Sequence, residues 1–314
     1  MMNFGGSEKY VLALVEGLVT LGQTVFLFAN QRGKSFDYAI SIGANAYADQ
    51  EVDLILLNHN STFKHLSWRN KQLPIFQICH GIFPYLEQPI SNLDGYFAVS
   101  PEVQGFLQRG GLKSTLLWNP VILRDQHSES IRDIDFLVLS QGGEAIELVK
   151  NALGNDLVCI FGNKHSREID HVDHLMRRTK VVVGTGRALM EAAVSGCAAF
   201  GLDSRHYDGV KFIGPVTPQN WEVLSFSNFS GRGFQQVLDI RECRNLLLQT
   251  MSNWIDYSSK IQPLGTRQHH YMRTTEKILS NVQTRKSTFK LLRRNRIQDF
   301  RTPDEKAMWA TKPK

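Results

Sequence analysis

Short apolar runs alternate with longer amphipathic segments along most of the chain. The apolar runs are typical of buried strands, and the amphipathic segments carry apolar residues at helical spacing. The alternation occurs in two series, separated by a polar and charged stretch at 122–133. Alternating strands and helices favour parallel sheets covered by helices. The pattern therefore predicts an α/β protein with two Rossmann-like parallel-sheet domains that face each other across a cleft.

The apolar runs also predict individual elements. Predicted strands cover 24–29, 52–58, 74–79, 96–100 and 115–118 in the first series, and 135–140, 157–162, 181–183 and 198–202 in the second. Segments 208–221 and 228–233 are rich in Gly, Pro and Asn, which predicts loops. Residues 235–283 are predicted to be helical, with breaks at Pro263 and Gly265.

The start of the chain predicts a loop followed directly by a helix. Gly5 and Gly6 form the loop, and Ser7 is a suitable cap for the helix that follows. A parallel sheet normally has a strand before such a loop, but only four residues precede this one. We expect either that the N-terminal domain lacks its first strand or that this chain starts late.

These elements divide the chain into five segments. The predicted segments are an N-terminal domain at 1–121, a linker at 122–133, a C-terminal domain at 134–255, C-terminal helices at 256–280 and a basic tail at 281–314.

Composition narrows the class of protein. Apolar residues make up 42% of the chain and charged residues 21%, which is typical of a globular protein and excludes a disordered or fibrous one. No apolar run approaches the roughly 20 residues that a membrane helix needs. The four cysteines lie far apart, without disulfide or zinc spacing, so we expect free thiols in a reducing, cytoplasmic compartment.

The net charge of +6 is concentrated in the tail. From Asn281 to Lys314 there are ten basic and three acidic residues, so the tail carries +7 and the rest of the chain −1. A near-neutral body does not favour nucleic-acid binding. Two interpretations of the tail remain open: contact with anionic lipid headgroups at the inner face of a membrane, or a solvated terminus.

The stretch Val181–Gly196 contains the strongest candidate chemistry. It predicts a buried strand, a glycine-rich turn at Gly184–Gly186, and a helix that carries Arg187 and Glu191. Backbone N–H groups at such a helix start attract phosphate. Arg187 and Glu191 lie one helical turn apart, so both project from the same side. A cation and a carboxylate suit a phosphate and a ribose, although the glycines can also serve only to form the turn.

Several of the loops that follow strands fall at one edge of the predicted sheets. In open α/β sheets, ligands bind outside the carboxyl ends of the strands. The candidates at those ends are Gly5–Gly6, His80, Ser100, Gly142–Gly143 and Gly184–Arg187.

Three segments, in order, resemble GT-B glycosyltransferases of family 4. The opening GGSEKYVLALVEGLVTLGQTVFLFA is similar to the start of that family, and HGIFPYLEQPISNLDGYFAVSPEVQGFLQRGGLKSTLLWNPV to the later part of its N-terminal domain. GTGRALMEAAVSG resembles the donor-site helix, and the later YDGVKFIGPVTPQNW and NFSGRG resemble a subgroup with a Gly-Arg variant of that motif. The resemblance covers most of residues 4–232.

The resemblance implies a function. A protein of this family transfers a sugar from a nucleotide-sugar donor of the UDP or GDP type to a glycan or lipid-linked acceptor. It implies a retaining reaction in cell-surface polysaccharide biosynthesis. The resemblance implies that the N-terminal domain binds the acceptor and that the C-terminal domain binds the nucleotide sugar. No cofactor beyond the nucleotide-sugar substrate and no metal is implied. The implied location of the protein is the cytoplasm, where the basic tail allows peripheral contact with the membrane.

The resemblance also assigns roles to single residues. Gly6 lets the backbone approach donor phosphates or acceptor, and His80 lies beside the donor sugar. Glu191 matches the second glutamate of a paired pattern and binds the ribose hydroxyls. His80 and Arg187 are the catalytic candidates, and the donor-binding candidates are Gly5, Gly6, Gly184, Thr185, Gly186, Arg187 and Glu191.

The chain departs from the family pattern at two places. Val183 stands where the first glutamate is expected, and the loop SQGGEAIE has Glu144 where a basic pair normally holds the diphosphate. We hypothesise that Arg187 supplies the missing positive charge. Two alternatives stay open, a GT-B binding protein without catalysis and a GT-B sugar-nucleotide epimerase.

Other candidate sites are less specific. His165, Asp170, His171, Asp173 and His174 could form a metal cluster, but nearby arginines would repel a cation. Trp118 and Trp221 could stack on a sugar, although packing is the more common role of tryptophan.

Overall fold

The computed structural model describes residues 5–67, 69–122, 131–140, 143–154, 157–163, 172–205, 210–234, 239–283, 300–303 and 306. The chain divides into two compact units. The first unit is Met1–Ile122 with Tyr271–Lys314, and the second unit is Leu123–His270. Among the described residues, no helix is both long and apolar enough to span a membrane.

The first unit contains a parallel sheet of four strands and a separate pair of short parallel strands. Its elements in chain order are α1 (Gly6–Thr20), β1 (Phe26–Leu27), α2 (Lys34–Ser41), β2 (Asn45–Ala46), β3 (Ile55–Leu57), β4 (Ile75–Cys79), β5 (Gly95–Ala98), α3 (Pro101–Arg109) and β6 (Ser114–Leu116). The main sheet has the order β3-β4-β5-β6, and within the described part of the chain β1 pairs with β2 alone. Residues 1–4, before the predicted loop, lie outside the described residues.

Helix α1 packs against both sheets of the first unit. Tyr10 and Leu14 belong to the core of the four-stranded sheet. Leu12 and Val15, on another face of the helix, join Leu27 of β1 in a second apolar cluster. The N-cap of α1 is Gly5, so the prediction that Ser7 caps this helix is wrong. The helix begins two residues earlier than a Ser7 cap implies, and the Ser7 hydroxyl donates instead to the Glu8 carboxylate at 3.1 Å.

The predicted strand at 24–29 shortens to the two residues of β1. Phe28 directly after it is 40% exposed, so the run is apolar on both sides but buried on only one. A strand with one buried face and one pairing partner has little to extend it.

The second unit contains one five-stranded sheet. Its elements are β7 (Ile134–Ser140), α4 (Gly143–Leu153), β8 (Cys159–Asn163), α5 (Val172–Arg178), β9 (Thr179–Gly184), α6 (Arg187–Val194), β10 (Ala198–Asp203), β11 (Lys211–Pro215), α7 (Pro218–Phe226), α8 (Ile240–Ser252) and α9 (Trp254–His269). The order is β11-β10-β9-β7-β8, with β11 antiparallel and the other strands parallel.

Part of the segment predicted as loop is regular structure. Residues 211–215 form the edge strand β11, and 218–226 form α7, so the loop prediction is wrong there. Gly214 has a positive φ and Pro215 ends the strand, which is why the local composition indicated a loop. Thr217 and Asn220 form a capping box that starts α7 after Pro215.

The C-terminal helices break at places other than those predicted. Pro263 and Gly265 lie inside α9, and the breaks fall at Asn253 and His270. A Cβ at Gly265 would lie 2.9 Å from the Cβ of Ala193, so this glycine permits close packing of α9 on α6. Its role is contact between helices, which sequence composition does not distinguish from a break.

Helix α10 (Tyr271–Gln283) belongs to the first unit, while α9 belongs to the second. The predicted segment of C-terminal helices at 256–280 therefore divides between units at His270. Gly17 explains the attachment of α10, because a Cβ there would lie 2.2 Å from the Thr275 hydroxyl oxygen. Only a glycine lets α1 and α10 approach this closely.

Most of the basic tail lies outside the described residues. Described residues of the tail, among them Phe300 and Arg301, contact other parts of the first unit. The Phe300 ring contacts the Phe106 ring with centroids 5.9 Å apart, and Arg301 Nη1 donates to the Phe83 carbonyl at 2.8 Å. Phe300 and Arg301 therefore contact other residues of the first unit. Residues 123–130 of the predicted linker are also outside the described residues.

Candidate functional site

The glycine-rich turn at Gly184–Gly186 has the shape that its glycines require. Gly184 ends β9, and a Cβ there would lie 2.8 Å from the Leu139 carbonyl oxygen of the neighbouring strand. Gly186 has φ 59° and caps α6, a conformation that L side chains rarely adopt. Both glycines are thus needed for the turn itself, whatever the turn binds.

The turn is held by a loop from after α7. The Phe229 carbonyl accepts the Gly186 N–H at 2.7 Å and the Thr185 hydroxyl at 3.1 Å. Asn228 and Phe229 have φ values of 57° and 55°, so this loop keeps two consecutive non-glycine residues in the left-handed region. The amide of Gly186 is therefore bonded to protein, although the sequence predicted that the amides of this turn attract phosphate.

Arg187 and Glu191 form an ion pair on α6. Arg187 Nε donates to Glu191 Oε1 at 2.7 Å, and the side chains are only 14% and 9% exposed. Both residues project from the same side of the helix, as their spacing predicts. A carboxylate accepts several hydrogen bonds, so the contact with Arg187 is compatible with the binding of ribose hydroxyls.

A second arginine lies beside the turn, and sequence reasoning missed it. Arg205 donates from Nε and Nη2 to the two carboxylate oxygens of Asp203, both at 3.0 Å, and from Nη2 to the Thr185 hydroxyl at 3.1 Å. Asp203 ends β10 and is fully buried. The sequence feature that could have identified Arg205 is its position just after the carboxyl end of β10, the strand next to β9.

The charge state of Asp203 follows from these contacts. Burial alone raises the pKa of a carboxyl group. The Arg205 guanidinium and the hydrogen bonds from the Gly231 and Arg205 amides outweigh that effect, so the pKa of Asp203 is lower than its ordinary value. Asp203 is therefore ionised at neutral pH and balances the charge of Arg205.

Val183 and Glu144, the two residues at which the sequence departs from the pattern that it resembles, lie in different surroundings. Val183 is 1% exposed near the end of β9, and pairs in register with Val138 and Phe200. Its side chain packs in the core of the second unit and offers no group to a sugar hydroxyl. Glu144 is exposed on the first turn of α4, where its charge opposes anion binding.

His80 lies just after β4 in a polar group at the end of the first unit's main sheet. His80 Nε2 lies 3.0 Å from Asn58 Oδ1. The Tyr10 ring meets the imidazole edge-on, with centroids 4.8 Å apart, and the His59 ring lies 6.5 Å away. Asn58 and His59 follow β3, which pairs with β4. Sequence reasoning missed both, although they stand at a strand end as His80 does.

The pKa of His59, in this cluster, departs from its ordinary value. Burial lowers its pKa below the ordinary value of a histidine, while the Glu8 carboxylate acts in the opposite direction. His59 is therefore neutral at pH 7 and can accept a hydrogen bond.

The Gly5–Gly6 loop differs between its two glycines. A Cβ at Gly5 would lie 2.4 Å from Glu8 Oε2, so the Glu8 carboxylate covers this residue. A Cβ at Gly6 would meet no atom within 4 Å, so the backbone at Gly6 is open to approach. Of the two glycines of this loop, only Gly6 has such open space.

The remaining sequence candidates have structural roles or lie outside the described residues. Ser100 caps α3, where its hydroxyl accepts the Val103 N–H at 3.3 Å. Trp221 packs against Phe229 and donates from Nε1 to Gln268 at 2.8 Å. Of the predicted histidine and aspartate cluster, His165, Asp170 and His171 are outside the described residues, as is Gly142. Within the described ranges, no group of three acidic, histidine or cysteine side chains could hold a metal.

The candidate residues thus fall into two groups, one in each unit. The first unit brings together Gly5, Gly6 and His80 with Glu8, Asn58 and His59. The second unit brings together the glycine-rich turn, Arg187 and Glu191 with Asp203 and Arg205.

No protein-family model and no curated protein matches the chain in sequence. Solved structures match it in three dimensions. The crystal structure of Anabaena Alr3699/HepE in complex with UDP-glucose has 14% identity and a TM-score of 0.61, over 90% of this chain and 97% of that one. The complex of the same protein with UDP and glucose has 13% identity and a TM-score of 0.60, over 89% and 96%.

A second solved protein also matches the chain in three dimensions. AviGT4, a glycosyltransferase involved in avilamycin A biosynthesis, has 14% identity and a TM-score of 0.57, over 90% of each chain. At these identities the likeness concerns the fold. The chain therefore has the GT-B fold of these glycosyltransferases, with two α/β units built on parallel sheets.

Proposed function

We propose that this protein is a glycosyltransferase that transfers a sugar from a nucleotide-sugar donor of the UDP or GDP type to a glycan or lipid-linked acceptor. The reaction proposed is retaining, and its product a cell-surface polysaccharide or glycolipid. The fold supports the class of enzyme, and a solved protein of the same fold binds UDP-glucose. Function does not follow from fold alone, so the proposal depends on the site.

The observation that carries the proposal is the Arg187–Glu191 pair at the start of α6. The pair follows the glycine-rich turn at the carboxyl end of β9, where α/β sheets bind ligands. Glu191 is largely buried and held in one orientation by Arg187 at 2.7 Å, so it presents a fixed acceptor for the ribose hydroxyls. Arg187 places a positive charge in the same turn, where it offsets the charge of a leaving diphosphate.

In the first unit we propose that His80 lies beside the donor sugar. The Nε2 contact with Asn58 and the Tyr10 ring fix the plane of the imidazole. Gly6 offers an open backbone for the approach of donor phosphates or acceptor. Catalysis then consists of positioning the two substrates and stabilising the leaving diphosphate.

The cellular setting is proposed on the same terms. The protein works in the cytoplasm, and the basic tail contacts the inner face of the membrane that carries a lipid-linked acceptor. Ten basic residues in the tail support attraction to anionic lipid.

One observation favours a second candidate, a GT-B binding protein without catalysis. The burial of Val183 leaves no carboxylate at the place of the family's first glutamate. Such a protein would bind a nucleotide sugar and not turn it over.

Calorimetric titration with UDP and GDP tests the proposal. Glu191→Gln is the informative variant, because the amide keeps the volume and an acceptor for Arg187 while removing the charge. We expect one nucleotide to bind the wild type, and Glu191→Gln to lose about tenfold or more in affinity, since hydrogen bonds to charged groups are the stronger ones. Glu147→Gln, an exposed glutamate of α4 that pairs with Lys150, is the matched control and should bind normally.

The outcomes separate the candidates. If the folded wild type binds neither nucleotide, the proposed donor site is wrong. Binding without turnover of the corresponding nucleotide sugar, with or without acceptors, favours the binding protein. Conversion of the donor in the absence of any acceptor would instead indicate an epimerase.

A further inference from the structure

The residues around the glycine-rich turn form a closed ring of hydrogen bonds. Asp203 holds Arg205, Arg205 donates to Thr185 at 3.1 Å, and Thr185 donates to the Phe229 carbonyl at 3.1 Å. Two residues after Phe229, the Gly231 N–H donates back to Asp203 Oδ2 at 2.8 Å. The ring therefore connects the end of β10, the turn after β9 and the loop after α7.

The ring leaves little freedom at its corner on Gly231. A Cβ at Gly231 would lie 2.8 Å from the Asp203 Cβ and 2.9 Å from the Lys211 Cβ. The carboxylate of Asp203 is fully buried and accepts hydrogen bonds from both Nε and Nη2 of Arg205. These two bonds fix the orientation of the guanidinium group. A planar fork that meets a carboxylate and a hydroxyl at once is a property of arginine that lysine lacks.

Arg205 is also directly adjacent to the turn's apex. Its Nη1 lies 3.6 Å from the point where a Cβ at Gly186 would stand. The charge of Arg205 is matched by Asp203, so its main effect on the turn is geometric. The Gly186 N–H is fixed by the same Phe229 carbonyl that Thr185 contacts.

We propose that Arg205, oriented by Asp203, is a positioning residue that holds the glycine-rich turn in the form that binds the donor diphosphate. The inference rests on the proposed function, because it concerns the same donor site. Arg205 acts through Thr185 and Phe229. Without the Arg205 guanidinium, the Thr185 hydroxyl loses one of its hydrogen bonds. The hydrogen bond from the Gly186 N–H to the Phe229 carbonyl then opens more often to solvent.

Amide hydrogen exchange of the segment 181–190 tests the inference without any ligand. We expect Arg205→Lys and Arg205→Met to exchange faster than wild type in this segment, and to match it in α4 and β8. Arg178→Met removes another Arg–Asp pair of the same unit, at the opposite end of β9, and should leave the turn unchanged. Unchanged exchange at 181–190 in both Arg205 variants would overturn the inference, whether or not the protein binds nucleotide.

Nucleotide affinity supplies the second readout. With whichever of UDP or GDP the wild type binds, we expect about a tenfold loss in Arg205→Lys as well as in Arg205→Met. Lysine keeps the charge, so wild-type affinity in Arg205→Lys would show that charge suffices and would refute a geometric role. If the wild type itself binds neither nucleotide while the exchange result holds, the proposed function fails and the positioning of the turn stands.

A double-mutant cycle distinguishes action through Thr185 from direct contact with the diphosphate. If Arg205 acts through Thr185, the affinity lost in Thr185→Val with Arg205→Met is less than the sum of the single losses. Additive losses would contradict the proposed route. Because Arg205→Met alone leaves the Asp203 charge buried, a variant that does not fold is replaced by Asp203→Asn with Arg205→Met, which removes both charges and keeps an acceptor for Gly231.

Discussion

Arg187 Nε and Glu191 Oε1 lie 2.7 Å apart in a part of α6 where both side chains are largely buried. The cation that the sequence assigns to a diphosphate and the carboxylate that it assigns to a ribose are therefore coupled. A change in one alters the environment of the other. Truncation of Arg187 to alanine is for this reason a poor test of its role, because it also removes the Arg187 contact from the largely buried Glu191.

We predict that Arg187→Met destabilises the fold by about 3 kcal/mol, since removing one partner of a buried pair leaves an uncompensated charge. Arg187→Met combined with Glu191→Gln should recover more than half of that loss. Urea unfolding of the four proteins measures both values. Additive losses in the double variant would mean that the two side chains are not energetically coupled.

The two glycines at the candidate loops should respond differently to alanine. Gly184→Ala is expected to cost about 1–3 kcal/mol of stability, because the new Cβ would lie 2.8 Å from the Leu139 carbonyl oxygen, a backbone atom that cannot move aside. Gly6→Ala meets open space and should leave stability within about 0.5 kcal/mol of wild type. Thermal unfolding checks both changes.

Gly6→Ala then isolates the functional question. If Gly6 admits a ligand to the backbone, the stable variant should lose activity or donor affinity. Full activity with unchanged stability would remove Gly6 from the site.

The parts of the fold that depend on local pattern could be predicted from sequence. The run Val181–Val183 is apolar and β-branched, and it lies within β9 because a central parallel strand buries both faces. The edge strand β11 could not be found in this way. It contains Gly214 and Pro215, and its partner β10 has a register shift between Gly201 and Leu202.

The candidate site could be predicted only in part for a related reason. Arg187 and Glu191 lie four residues apart, so helical spacing is enough to bring them together. The contacts of Thr185 with Arg205 and with Phe229 span 20 and 44 residues, and depend on which strands are neighbours. No local pattern in the sequence fixes such contacts.

Stability should fall as the pH is lowered from 7 to 5, in part through His59. Burial holds the pKa of His59 below that of an unfolded histidine, so the unfolded state binds the proton first. The favourable contribution is fully present above the unfolded pKa and is lost as the pH falls towards the folded pKa. His59→Gln should flatten this part of the curve of melting temperature against pH.

The exposed His65 is a suitable comparison for His59. His65→Gln controls for the loss of an imidazole as such, since its side chain is exposed. Equal slopes for wild type and His59→Gln would show that His59 does not contribute to the pH dependence.

His80→Ala should separate sugar chemistry from nucleotide binding. His80 lies in the first unit, at the end of β4, whereas the residues proposed to hold the nucleotide lie in the second unit. We therefore expect the rate of nucleotide release from the sugar donor to fall about 100-fold, the lower end of what a positioned histidine contributes. The affinity for the free nucleotide should change less than threefold.

Asn58→Ala, which removes the contact at His80 Nε2, should lower the rate less than His80→Ala does, because it leaves the imidazole in place with a looser orientation. His65→Ala should match wild type in both measurements. A parallel loss of rate and nucleotide affinity in His80→Ala would instead assign the histidine to the binding of the nucleotide.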